Sequence, residues 1–149
     1  GAFGLRPYGV NAMLTLGLEK LYPAHGIDMD ESLTPFHVGT DAFIKFDKGD
    51  FIGREALLQI RDSGVQTAWV GLNLTTENPV PALTPVMAQG RQIGRITYSD
   101  HGYSVGAVLA TAHIHRDFSA EATAVSVLDQ PATVARKAFF DPEGLRLKS

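Results

Sequence analysis

Pro85-Val86-Met87-Ala88-Gln89-Gly90-Arg91-Gln92-Ile93-Gly94-Arg95-Ile96-Thr97 decides how the second half of this chain is read. Residues 85–88 and 92–97 are β-prone runs, and the glycine-containing break Gln89-Gly90-Arg91 between them is a hairpin signal. Residues 124–128 and 132–137 flank Asp129-Gln130-Pro131 in the same way and predict a second hairpin. Residues 105–114 form an apolar strand, residues 67–74 are β-rich, and Pro79, Pro81 and Pro85 break the intervening chain into a loop. Short strands at roughly ten-residue spacing predict a small antiparallel β-barrel or jelly-roll-like domain over residues 64–149.

The pattern changes upstream of residue 64. Residues 11–21 carry Met13, Leu14, Leu16, Leu18 and Leu21 at a spacing that predicts a mostly buried helix, with Asn11 as N-cap and Pro23 as the stop. Gly17 inside it costs about 1 kcal/mol relative to alanine. Residues 23–35 read as a polar loop and residues 42–46 as a short strand. A second helix comes after the turn Asp47-Lys48-Gly49-Asp50. Asp50 is its predicted cap, Ile52, Ala56, Leu57 and Ile60 its apolar stripe, and Gly64 lies just past its end. The expected class is α+β: a helix-containing N-terminal segment and then the small barrel.

Composition narrows the functions. With 149 residues, 44% of them hydrophobic, the chain can build one core. A net charge of −3 gives no attraction to nucleic acid or to an anionic membrane, and neither partner is expected. The absence of cysteine excludes disulfides and thiolate metal sites, and fits a reducing, cytoplasmic setting. No run approaches the roughly 20 apolar residues of a membrane-spanning helix. The Gly-Ala start, without methionine, suggests a piece of a longer protein.

Gly102-Tyr103-Ser104-Val105-Gly106 has the G-x-S-x-G spacing of a nucleophile elbow, but that motif needs a strand-turn-helix, and residues 107–110 read as strand. A glycine-flanked turn is the preferred reading. His113-Ile114-His115 places two imidazoles on one strand face, and His101 or Asp117 could add a third metal ligand, but a solvated strand end is favoured. Glu19, inside an apolar stretch, must be partnered. It reads as a helix-surface residue paired with a cation, or as a carboxylate that accepts from an amino-pyrimidine edge. Lys45, Lys48, Arg54 and Arg61 are ordinary surface charge, or hold an anionic ligand tail.

Four stretches carry a family resemblance. Gly4-Leu5-Arg6-Pro7-Tyr8-Gly9 resembles the G-L-R-P-x-G segment of the glycine-cleavage T-protein superfamily. Leu18-Glu19-Lys20, with Tyr22, Ala24, Gly26 and Asp28, resembles a run of its dimethylglycine and sarcosine dehydrogenase branch. Asp47-Lys48-Gly49-Asp50-Phe51-Ile52-Gly53-Arg54-Glu55-Ala56-Leu57-Leu58 matches the family's D-K-G-D-F-I-G-R-E-A-L-L almost letter for letter, and Phe140-Asp141-Pro142-Glu143 resembles its closing F-Y-D-P-E. The resemblance implies a C-terminal barrel and the C-terminal portion of a tetrahydrofolate-dependent one-carbon transfer enzyme. Residues 1–63 would end the folate-binding domain and residues 64–149 would form the barrel domain. It further implies an N-methyl amine substrate and an upstream half of the same enzyme as partner. FAD would sit only in an upstream domain. The family's key aspartate lies upstream of the G-L-R-P segment, so no catalytic residue is assigned to this chain. Glu19, Tyr22 and Arg54 are the cofactor-binding candidates. The stretches 18–28 and 47–58 are expected to wall one cavity shared with upstream chain. Leu14, Gly17, Leu21 and His25 depart from the family pattern. Gly17, Leu21 and His25 carry the alternative reading, a structural or interaction module that has lost folate.

Overall fold

The computed structural model describes residues 3–147. Six antiparallel strands close into a barrel in the order β1-β4-β3-β2-β5-β6. They are β1 (Thr67–Leu74), β2 (Pro85–Ala88), β3 (Arg91–Gly102), β4 (Ala107–His115), β5 (Ala124–Val127) and β6 (Gln130–Ala135). The predicted helix-then-barrel class is therefore the observed one. Both predicted hairpins are present. Their loops are two residues long rather than three, Gln89-Gly90 and Leu128-Asp129, all four with positive φ. This primed-turn geometry matches the twist of the flanking strands.

The barrel core obeys the two-residue period of its strands. Val70 and Leu72 of β1, Ile96 of β3, Ala110, Ala112 and Ile114 of β4, and Val134 of β6 point inward and are buried. β1 and β4 are largely buried on both faces because their outer faces are covered as well. The N-terminal helix α1 (Val10–Glu19) lies across β3 and β4, and the short α2 (Pro35–Val38) lies against β1. Gly71 and Gly94 permit close approaches. A Cβ at Gly71 would meet Leu21 and Phe139 side-chain atoms at 2.7 Å, and one at Gly94 would lie 2.7 Å from the Ile114 Cα.

The N-terminal segment departs from its prediction in four places. First, residues 42–46 form no strand. A 3-10 turn, Asp41–Phe43, stands there with Phe43 exposed, because the closed barrel offers no edge to pair with. Second, α1 starts two residues early, with Gly9 rather than Asn11 at its N-cap, and is half-exposed rather than mostly buried. Val10, Met13 and Leu16 face out, whereas Thr15, Leu18 and Glu19 face the barrel. Third, α1 stops at Lys20, before Pro23. Leu21 takes φ 50°, while the Tyr22 and Leu21 amides bond to Gly17 and Leu18 carbonyls. That is a Schellman termination with leucine where glycine is favoured. Fourth, the second helix α3 (Arg54–Ser63) begins after Gly53, whose φ of 88° makes the turn. Asp50 instead accepts from the Phe51 amide at 3.0 Å, and Ile52 is exposed outside the helix. Gly64 closes α3 as predicted.

Candidate functional site

A cavity of about 430 Å³ lies between α1, the loop after it, and the outer face of β3 and β4. Its lining is mainly apolar, with Tyr8, Met13, Leu16, Tyr22 and Ile27 on the helix and loop side, and Tyr98 and Thr111 on the strand side. Lys20 and Asp28 are its charged members. Lys20 is held away from free rotation: Nζ donates to the Asp141 carbonyl at 2.8 Å and pairs with the Asp141 carboxylate at 3.1 Å. That hydrogen bond holds the Asp141 carboxyl below the usual aspartate range. The Tyr98 hydroxyl donates to Asp100 Oδ2 at 2.8 Å. Burial, then the bond to Asp100 and the charge of that carboxylate, push the phenol up to about 12.

Asp28 is the most connected polar residue here and is almost fully buried. Oδ1 accepts from Trp69 Nε1 at 3.0 Å, Thr97 Oγ1 at 2.5 Å and Thr111 Oγ1 at 2.7 Å. Oδ2 accepts from the Ala24 amide at 3.0 Å. Its own carbonyl accepts from His113 Nε2 at 2.6 Å. Thr97 reaches Asp28 from a β-bulge: Ile96 pairs with Ala112 and Tyr98 with Thr111, leaving Thr97 as the extra residue. Bulges re-aim side chains in this way. Reading residues 23–35 as a polar loop missed this carboxylate. The available signal was the indole N–H of Trp69, the sole tryptophan, which needs a partner when buried.

The three sequence candidates do not converge. Tyr22 is 62% exposed and lines the cavity. Glu19 is only 2% exposed and lies outside the cavity lining. It is therefore not a helix-surface residue: it points into the barrel side, where Oε1 accepts from the Ser104 amide at 2.7 Å and Oε2 is buried without a donor. Arg54 turns onto the Phe46 carbonyl, with Nε and Nη2 at 3.3 and 3.2 Å, and contributes nothing to the cavity wall. Residues 47–58 as a whole are absent from the lining, so the expected joint wall with residues 18–28 does not form there.

Ser104 sits in the turn between β3 and β4, as the preferred reading had it, with strand on both sides. The two histidines part company. His113 is bonded to the Asp28 carbonyl rather than solvated, and His115 Nδ1 lies 3.4 Å from Asp117. Among the described residues no group of three or more His, Asp or Glu is placed to hold a metal ion. No described helix is long and apolar enough to cross a membrane.

Comparison with known proteins gives a consistent answer. A family profile described as "Glycine cleavage T-protein C-terminal barrel domain" matches residues 68–141. An aminomethyltransferase of Thermosynechococcus vestitus is 33% identical over 143 residues, which is 93% of this chain and 39% of that protein. Mitochondrial dimethylglycine dehydrogenase of Rattus norvegicus is 32% identical over 151 residues, 97% of this chain and 18% of its own length. The crystal structure of glycine cleavage system aminomethyltransferase T from Bartonella henselae has the same fold. It matches at a TM-score of 0.79 and 24% identity, over 86% of this chain and 38% of that one. The chain thus spans no more than about two fifths of these relatives. It belongs to the glycine cleavage T-protein family and carries that family's C-terminal region, with its barrel domain.

Proposed function

We propose that this chain is the C-terminal portion of a tetrahydrofolate-dependent one-carbon transfer enzyme, with a dimethylglycine or sarcosine dehydrogenase-like parent. In this reading residues 1–63 end the folate-binding domain and residues 64–149 are its barrel domain. The cavity of about 430 Å³ beside α1 carries the proposal. Small-molecule pockets run to roughly 300–1,000 Å³ and pair an apolar lining with a few polar groups. This cavity has that composition, and its tyrosines suit a flat heterocycle. It is large enough for part of the cofactor, as expected of a chain that supplies walls rather than a whole site.

Tetrahydrofolate, when bound, supplies the amine that captures the one-carbon unit of an N-methyl amine. The residues here orient it and exclude water, which removes much of the entropic part of the barrier. Tyr22, on the cavity wall, would hold the flat ring, and Glu19, which lies outside the lining, would offer its donorless Oε2 to an amino-pyrimidine edge. Arg54 serves the start of α3. The exposed apolar side chains of α1, Val10 and Leu16 among them, are the seat for the upstream half, which also holds the catalytic group and any FAD domain.

Calorimetry of the full-length protein carrying this chain tests the proposal. Saturable tetrahydrofolate binding is expected, weakened about tenfold by Tyr22→Ala, the loss of roughly 1.4 kcal/mol. Heat no greater than the blank at high folate concentration rejects it. One observation favours a second reading, a structural module without folate: Glu19 is already closed over and bonded to Ser104. A silent titration, with α1 still required for association with the upstream half, is the outcome that reading predicts.

A further inference from the structure

We propose that Asp28 is a positioning residue: its buried carboxylate fixes residues 22–28, the loop side of the cavity, onto the barrel. The inference goes beyond the binding of any ligand, and only its last consequence rests on the proposed function.

Three observations carry it. The carboxylate is reached from three strands at once, by Trp69 of β1, Thr97 of β3 and Thr111 of β4. On the loop side its Oδ2 takes the Ala24 amide, and its own carbonyl takes His113 of β4. The loop carrying Tyr22, Ala24 and Ile27, all cavity-lining, therefore has its polar bolt at a single residue. Second, no cation is among these contacts. The bolt works by donors alone, and the Thr97 and Thr111 hydroxyls, themselves 2.8 Å apart, have two hydrogens to serve three contacts. The indole N–H, a donor and never an acceptor, is then the contact that cannot be reassigned. Third, the barrel spends a β-bulge on this interaction, because Thr97 is the residue left unpaired. Oδ1 is committed to donors from the barrel, so Asp28 is not free to act on a reacting atom. It acts through the loop it holds.

The 149-residue chain has one tryptophan, so Trp69 reports on this bolt directly. In Asp28→Asn, which keeps the shape, amide exchange over residues 22–28 should accelerate about tenfold or more, since bonds to a charged acceptor are lost locally. Trp69 emission should shift, and the β1–β4 ladder should exchange at the wild-type rate. Thr97→Val, which deletes one donor and is milder, should give the same local pattern at smaller amplitude and keeps the test alive if Asp28→Asn does not fold. Asp28→Glu should restore part of the protection. Unchanged exchange over residues 22–28 in both variants, or acceleration spread equally through β1 and β4, would overturn the assignment. Tetrahydrofolate affinity of the full-length protein should fall at least about tenfold in Asp28→Asn. If the unmutated protein does not bind folate at all, the proposed function fails, while the exchange result still decides the role of Asp28.

Discussion

Glu19 and Asp28 are both buried carboxylates without a cation, and they sit in opposite conditions. Asp28 has four donors on its two oxygens, whereas Glu19 has one donor and an orphaned oxygen. An unsatisfied buried acceptor costs about 1–3 kcal/mol. Glu19→Gln keeps an oxygen for the Ser104 amide but replaces the orphaned Oε2 by an NH2 that also lacks a partner, so one unsatisfied buried group stands in for another and stability in urea unfolding should change by less than about 1 kcal/mol. A gain larger than that would mean that the carboxylate itself carries the penalty. A residue retained at a cost to stability fits a ligand-facing role, because functional sites tolerate local penalties that packing residues do not. From the sequence, the need of Glu19 for a partner was legible, but its direction was not. One residue of rotation on a helix separates surface from interior, and Val10, Met13 and Leu16, three of the five large apolar side chains of α1, face solvent.

Elements with a partner in the same chain were the legible ones. Strand alternation and turn residues placed both hairpins, and the apolar stretch ending at Ile114 became a strand buried on both faces. Residues 42–46 were misread because the closed barrel leaves no strand edge for them to pair with, and the start of α3 because the left-handed turn at Gly53 delays the helix past Asp50. α2 went unseen, since four residues carry no periodicity; its Thr34-Pro35 start and the histidine three residues on were the only cues. His37 Nδ1 accepts from the Thr34 amide at 3.1 Å. Burial, then the nearby His113, holds the His37 imidazole below its ordinary value of 6.5. The folded state thus prefers neutral His37. The stability this brings is complete above pH 6.5 and is lost as the pH falls through the lowered value, where protonation takes the accepting lone pair. The melting temperature should therefore fall with acidification below pH 6.5. His37→Gln, whose amide oxygen can accept in the same place without titrating, should flatten that slope. An identical slope in the variant would assign the dependence to other groups.

At the scale of the whole molecule, the barrel holds its own core, and the N-terminal segment is only half-covered. Leu72, Ile96, Leu109 and Ile114 are fully buried, while Val10, Leu16, Phe43 and Ile52 lie open. This asymmetry explains why the barrel was readable from sequence and the site was not. Strand period and turns are local signals, whereas the site is built by α1 and its loop against distant strands, as in the contact of Thr111 with Asp28, 83 residues apart. Family resemblance supplied the candidate Tyr22, which does line the cavity, and also Arg54, which does not. The functional proposal stands or falls on whether tetrahydrofolate meets this chain at the cavity beside α1. Hydrogen–deuterium exchange of the full-length protein, with and without tetrahydrofolate, decides that. Folate-dependent protection should concentrate in residues 13–28 and around Tyr98. Protection confined to other regions, or no change in residues 13–28 at saturating folate, would contradict it.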